Sequence, residues 1–444
     1  MNHLPDSVGR LVHRLTHSIF ARNVVIFMSG AAIAQVFNVA ASPILSRLYE
    51  PSAFGLFAFF VSTVTLLEIA VTGRYEQAIV LPENEEDAAN VMGLSLLLTI
   101  ALSVGAILLV WFSGAAFAHA FGIPELAPWL WLIPPYLLVT GIYNSLNYWS
   151  TRHKQFSRLS ISQVFRAGGT VGIQIVVGFL RSGAVGLIGG KVVGQSLASV
   201  SLFLQVWRDD RHKLRRLLSW RRFKIVAHRY RDFPRYGAPQ ALLNSLSLGV
   251  FTFLMTPFFG PTVVGYYALT KKILGLPARL LGEAIRQVFF PKATELMQTG
   301  GNVYRFLLMT TLGLLAIGSV PTLIVVLFGP QLFAFLFGAE WYRAGIYAQI
   351  LMPWTYIALA NPPSVMMIPV LNKQSAHMVY EIVSLVSRIA AIFAGVAIGN
   401  DIWAIAIFSL VGVLLNGSLI VYMLWLTKQR SIMTIPQPYD RLMS

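Results

Sequence analysis

Nine ionisable side chains sit inside long apolar runs, where a surface explanation does not apply. The basic ones are Arg166, Lys191, Lys271, Lys272, Arg279 and Arg388, and the acidic ones are Glu68, Glu283 and Glu381. A charge in hydrocarbon is costly, so such residues mark substrate or ion pathways by default. Cations outnumber carboxylates two to one, so a cavity they shared would be net positive and would favour an anionic cargo. Helical spacing groups these residues with polar neighbours. Gln163, Arg166, Thr170 and Gln174 form one stripe, and His377, Glu381, Ser384 and Arg388 form another. Lys272 aligns with Arg279, Glu283 and Arg286, Glu68 with Thr65 and Thr72, and Tyr136 with Thr140, Tyr143 and Asn147. Lipid cannot hydrogen-bond to these stripes, so they must face protein or a hydrophilic cavity.

Structural roles compete with functional ones. Arg279 and Glu283 are spaced for an intrahelical ion pair, and Glu381 can reach Arg388 through Ser384 or a water. Arg166 and Lys191 lie nearer the ends of their runs and can snorkel. Lys271 and Lys272 point about 100° apart on a helix, so only one can face a cavity well. The stripe containing Arg279 selects Lys272. Arg166, Lys191, Lys272, Arg279 and Arg388 are therefore the candidate anion contacts, and Glu68, Glu283 and Glu381 are the candidates for proton or sodium coupling. No catalytic constellation competes with a transport role. The chain has no phosphate-cradling glycine loop, no His-Glu-x-x-His and no Gly-x-Ser-x-Gly. With no cysteine it has no disulfide and no thiolate metal site. The expectation is a non-enzyme without cofactor or metal.

The elements that position these residues must be membrane helices. Hydrophobic residues make up 56% of the 444 and charged ones only 12%, too apolar a balance for an ordinary soluble protein. Apolar runs cover 23–43, 52–73, 89–112, 128–149, 160–180, 184–206, 236–259, 263–283, 303–328, 345–370, 377–398 and 402–427. Each is long enough to cross a hydrocarbon core of ~30 Å and too long for a barrel strand. Most of the 34 Lys and Arg fall on the side of the N-terminus, and the opposite loops hold only Arg47, Arg181 and Arg343. The positive-inside rule then places both termini in the cytoplasm. The net charge of +16 reflects loops beside an anionic leaflet and gives no reason to expect nucleic acid. Arg10, Arg14 and Arg22 precede the first run as in a signal peptide, but that run is long enough to be retained as a span.

The chain also repeats itself. Ile133-Pro134 recurs as Met352-Pro353, and Lys154-Gln155 recurs at the same interval as Lys373-Gln374. Pro51, Gly55 and Ala58 answer Pro261, Gly265 and Ala268, and Phe121-Gly122 answers Phe337-Gly338. A duplicated all-membrane chain predicts an all-α integral membrane protein with about 12 transmembrane helices. These form two pseudo-twofold-related six-helix bundles around a central cavity. The expected division is a basic segment 1–22, a bundle 23–206, a linker 207–235, a bundle 236–427 and a tail 428–444. The linker holds eleven Lys/Arg with Leu214, Leu217, Leu218 and Trp220 interleaved, which suits a topogenic loop or an amphipathic surface helix. The acidic group Glu76, Glu83, Glu85, Glu86 and Asp87 has no role legible in the sequence. Outside loops are short and leave no room for an external catalytic domain.

The segment Pro43-Ile-Leu-Ser-Arg47-Leu-Tyr49-x-Pro51-x-x-Phe54-Gly55 carries a family likeness. With Gly265-Tyr-Tyr-Ala268, Leu276-Pro277 and Gln287-Val-Phe-Phe-Pro291, it resembles the Wzx-type polysaccharide transporters of the multidrug/oligosaccharidyl-lipid/polysaccharide exporter superfamily. The resemblance covers nearly the whole chain. It implies alternating access in a bacterial inner membrane and a polyprenyl-diphosphate-linked oligosaccharide as cargo, destined for O-antigen lipopolysaccharide or exopolysaccharide. It also implies membrane lipids, a polymerase and chain-length machinery as partners. Arg47 and Arg74, at the outer and inner ends of the first two spans, are then candidate gating residues. The rival readings are a multidrug exporter of the same superfamily, which would want an acidic cavity, and a polytopic polymerase or ligase. A lipid-II type flippase would commonly carry two further spans.

Overall fold

The computed structural model describes residues 19–180, 183–371 and 373–433, leaving aside the side chains of 19–29, 248, 279, 280, 283, 284, 286, 287 and 430–433. Every described secondary-structure element is a helix. In chain order they are α1 (Ile19–Ala40), α2 (Ser42–Leu48), α3 (Pro51–Val71), α4 (Tyr75–Ala78), α5 (Glu85–Ala120), α6 (Ile133–Arg152), α7 (Phe156–Phe179) and α8 (Ala184–Leu217). Then follow α9 (Trp220–Arg229), α10 (Ala238–Gln298), α11 (Val303–Phe337), α12 (Tyr342–Leu359), α13 (Pro362–Val370), α14 (Gln374–Ile398) and α15 (Asp401–Met433).

Each of the twelve expected spans is helical. Among the described residues, nine helices are long and apolar enough to cross a membrane on length and composition alone. The difference has local causes. The 160–180 run lies in α7, whose polar stripe dilutes its apolar character. The 345–370 run breaks at 360–361 into α12 and α13. The 236–259 and 263–283 runs join as α10, interrupted only at Gly260, whose φ of 78° and ψ of 172° are non-helical and open to glycine alone.

Helix starts follow the sequence. Proline opens α3 and α13, where its missing N–H costs nothing. Asn84 caps α5 by accepting from the Asp87 amide at 2.8 Å, with Glu85, Glu86 and Asp87 in the first turn. The internal repeat shows in matching stops. After α5 and α11 the chain turns through Gly122 (φ 67°) and Gly338 (φ 111°) into a 3-10 turn and then the next helix.

Two compact units divide the chain, 1–261 and 262–444. The first runs past the basic linker because the start of α10 packs into it. The Phe253 ring lies 5.3 Å from Phe59 and 6.3 Å from Phe121, between centroids. Within this unit α7 and α8 approach closely at Gly194, where a Cβ would come 2.6 Å from the Arg166 carbonyl oxygen. Backbones this near need small residues, because lipid supplies no hydrophobic drive between helices.

Candidate functional site

In the first unit α3, α6, α7 and α8 bring Glu68, Tyr136, Tyr143, Arg166 and Lys191 together. The Tyr136 hydroxyl, Lys191 and Arg166 all lie within electrostatic reach of the Glu68 carboxylate. The Lys191 ammonium sits 6.0 Å from the Tyr136 ring centroid, and the Arg166 guanidinium 5.2 Å from that of Tyr143. Asn147 donates to the Tyr143 hydroxyl at 3.4 Å, and Ser162 lies 3.3 Å from the same oxygen. Glu68, Arg166 and Lys191 are each half-buried. The stripes drawn from the sequence thus converge on one charged cluster, with two cations about one carboxylate.

A second cluster occupies the other unit. The Lys271 ammonium lies 5.6 Å from the centroid of Tyr267, and the Arg388 guanidinium 5.9 Å from that of Trp354. Phe408 joins the two rings edge-on, at 6.4 Å from Tyr267 and 5.3 Å from Trp354. Lys271 and Arg388 are close enough to repel each other. An oxyanion placed between like charges relieves that repulsion, and the aromatic faces add cation–π attraction of about 0.5–2 kcal/mol each. The sequence stripe selected Lys272, whereas the lysine set beside Arg388 is Lys271. The signal available was Tyr267, four residues earlier on the same helix face as Lys271.

The side chains of Arg279 and Glu283 lie outside the described residues. Glu381 is exposed and pairs with His377 one turn away at 3.4 Å, so its carboxylate is engaged along its own helix. Arg47 is exposed at the end of α2, and Arg74 is half-buried with a left-handed φ of 62° at the start of α4. Burial pushes the neighbouring Glu76 carboxyl above its ordinary range, a rise that the Arg74 charge partly offsets. Burial also pushes the Tyr49 phenol up to about 12, and its hydroxyl donates to the Gln174 carbonyl at 2.6 Å. Among the described residues no cluster of His, Asp and Glu has the makings of a metal site.

The acidic group finds its partners in the basic linker. Glu85 pairs with Lys213 at 2.9 Å, Glu86 with Arg222 at 3.1 Å, and buried Asp87 with Arg222 and Arg229 at 3.4 Å. Fully buried Asn90 donates to the Leu217 carbonyl and accepts from the Ser219 amide, both at 2.8 Å, and so clamps the α8–α9 junction. Arg158 grips Asp209 at 2.9 Å and Asp210 at 3.1 Å, and Trp149 donates to Asp210. Val226 inserts into the core, which makes α9 part of the first unit's packing.

Comparison with known proteins agrees with this architecture. A multidrug resistance MATE family transporter of the MOP superfamily, in an inward-facing conformation, superposes with a TM-score of 0.68 at 16% identity, over 92% of this chain and 98% of that one. The lipid II flippase MurJ superposes with a TM-score of 0.64 at 10% identity, over 92% of this chain and 91% of that one. At these identities the likeness shows the fold. A search of curated proteins returns no match. Residues 44–345 match the family described as polysaccharide biosynthesis protein. That match spans most of a multi-pass, two-unit helical membrane protein of the transporter fold, and the chain belongs to the polysaccharide biosynthesis protein family.

Proposed function

We propose that the chain is a flippase that carries a polyprenyl-diphosphate-linked oligosaccharide from the cytoplasmic to the periplasmic leaflet of a bacterial inner membrane by alternating access. The observation that carries this reading is the Lys271–Arg388 cluster, two repelling cations held against Tyr267 and Trp354. A diphosphate cannot cross hydrocarbon unneutralised, and guanidinium and ammonium groups are its natural partners. Aromatic faces and the Asn and Tyr side chains near Arg166 suit uncharged sugars. Glu68, between Lys191 and Arg166, is the group best placed to exchange a proton or sodium ion during the cycle. The excess of cations disfavours the multidrug reading for organic cations, although the fold is shared. A polymerase and chain-length machinery would consume the flipped unit, as in the assembly of O-antigen or exopolysaccharide.

Binding tests the site. Purified protein should retain a polyprenyl-diphosphate oligosaccharide in native mass spectrometry. Lys271→Gln and Arg388→Gln should each weaken that binding about tenfold, or about 1.4 kcal/mol. Unchanged affinity in both folded variants would remove the site from the account.

A further inference from the structure

The lipid-facing side of α8 does not stop at the end of the apolar span. Val193, Leu197, Val200, Leu204 and Trp207 follow one another at steps of three and four residues. All are exposed, Val200 at 53% and Leu204 at 59%, as expected of residues solvated by acyl chains. The same cadence continues to Arg211 and Arg215, which are also exposed. A helix of 34 residues is about 50 Å long, well beyond a ~30 Å core, so its last turns emerge on the side of the basic loops.

We propose that Trp207, Arg211 and Arg215 form a binding site for the phosphate of an anionic phospholipid at the lipid-facing edge of the first unit. Three features place the donors at headgroup depth. Tryptophan prefers the membrane interface, and stacking on Phe203, at 5.6 Å and 19° between planes, fixes the Trp207 ring. Arg211 lies one turn beyond, about 6 Å along the axis, which falls within the headgroup layer. Arg215 is two turns beyond, but side chains lean toward a helix N-terminus, and its guanidinium returns to 5.2 Å from the Trp207 ring centroid. A guanidinium held against a ring still presents N–H donors to an oxyanion. The opposite face of the helix is immobilised. Asp209 is held by Arg158 and Lys213 by Glu85, while on the flank of the stripe Asp210 is also held by Arg158 and Leu214 is buried. The stripe therefore cannot rotate away from the bilayer.

The occupant follows from charge and continuity. A surface that begins in acyl chains, passes through an interfacial tryptophan and ends in two cations matches a molecule with tails and an anionic head. A soluble acidic partner would not need the apolar stripe. The proposal rests on the membrane topology and not on the cargo of the transporter, so the two can fail separately.

Quenching of tryptophan fluorescence tests it, with protein reconstituted in phosphatidylcholine bilayers containing a minor fraction of brominated phosphatidylglycerol or brominated phosphatidylcholine. The quenching component lost in Trp207→Phe should prefer the brominated phosphatidylglycerol about tenfold. Arg211→Gln with Arg215→Gln should abolish that preference while thermal unfolding stays unchanged. Arg222→Gln, on the side facing Glu86 and Asp87, should leave it intact. Equal quenching by the two lipids in the wild type overturns the proposal, as does a preference that survives the double substitution. Displacement of phosphatidylglycerol by an equal mole fraction of polyprenyl diphosphate would likewise overturn it, by assigning the site to cargo.

Discussion

Lys271 and Lys272 are adjacent, alike in charge and unlike in surroundings. Lys271 lies against Tyr267 and within reach of Arg388, whereas Lys272 points about 100° away around the helix. In a flipping assay Lys271→Gln should slow transport about tenfold, and Lys272→Gln should change it by less than threefold. Equal effects would show that total charge, and not position, matters. Glu76 offers a test by pH. Its folded-state pKa is raised by burial, so below the unfolded pKa both states are protonated and the site makes no difference. As pH rises through the window between unfolded and folded values, the unfolded chain releases its proton first and stability falls. Glu76→Gln should therefore raise the melting temperature at pH 7 relative to the wild type and leave it unchanged near pH 4. A variant less stable at pH 7 would contradict the assignment.

At the scale of elements, the linker is part of a bundle. Asn90 satisfies both a carbonyl and an amide where α8 gives way to α9, so Asn90→Ala leaves two polar groups unpaired, at about 1–3 kcal/mol each. Limited trypsin digestion should then cut the arginine-rich segment faster than in the wild type, and unchanged protection would mean that the clamp is dispensable. This explains why the sequence left Glu85, Glu86 and Asp87 without a role. Their partners Lys213, Arg222 and Arg229 lie far along the chain, and only folding sets them opposite each other. The Asn84 cap, the proline starts and the paired stops at Phe121-Gly122 and Phe337-Gly338 were legible because capping and turn chemistry are local. The stripes through Glu68, Tyr136, Tyr143 and Arg166 were legible from helical period. Their convergence across four helices was not, since period gives a face and not its neighbour. The same limit applies at Lys271 and Lys272, since only folding sets Lys271 within reach of Arg388.

At the scale of the whole molecule, duplication and hydropathy carried the reading of two helical units, and membership of the polysaccharide biosynthesis protein family agrees with it. The sequence put the border of the halves at the charge-rich linker. The first compact unit runs on through Pro261 because Phe253 meets Phe59 and Phe121, a packing that no local pattern announces. The fold is shared with drug transporters and a lipid flippase, so the chemistry of the clusters must separate the two functions. The most direct test is translocation of a fluorescent polyprenyl-diphosphate oligosaccharide in proteoliposomes, read by the accessibility of the labelled glycan to an external quencher. Flipping should depend on the protein in the wild type and fall about tenfold or more in Arg388→Gln at equal reconstitution. Folded wild-type protein that moves no lipid-linked glycan, yet exports an organic cation from the same vesicles, would contradict the flippase reading.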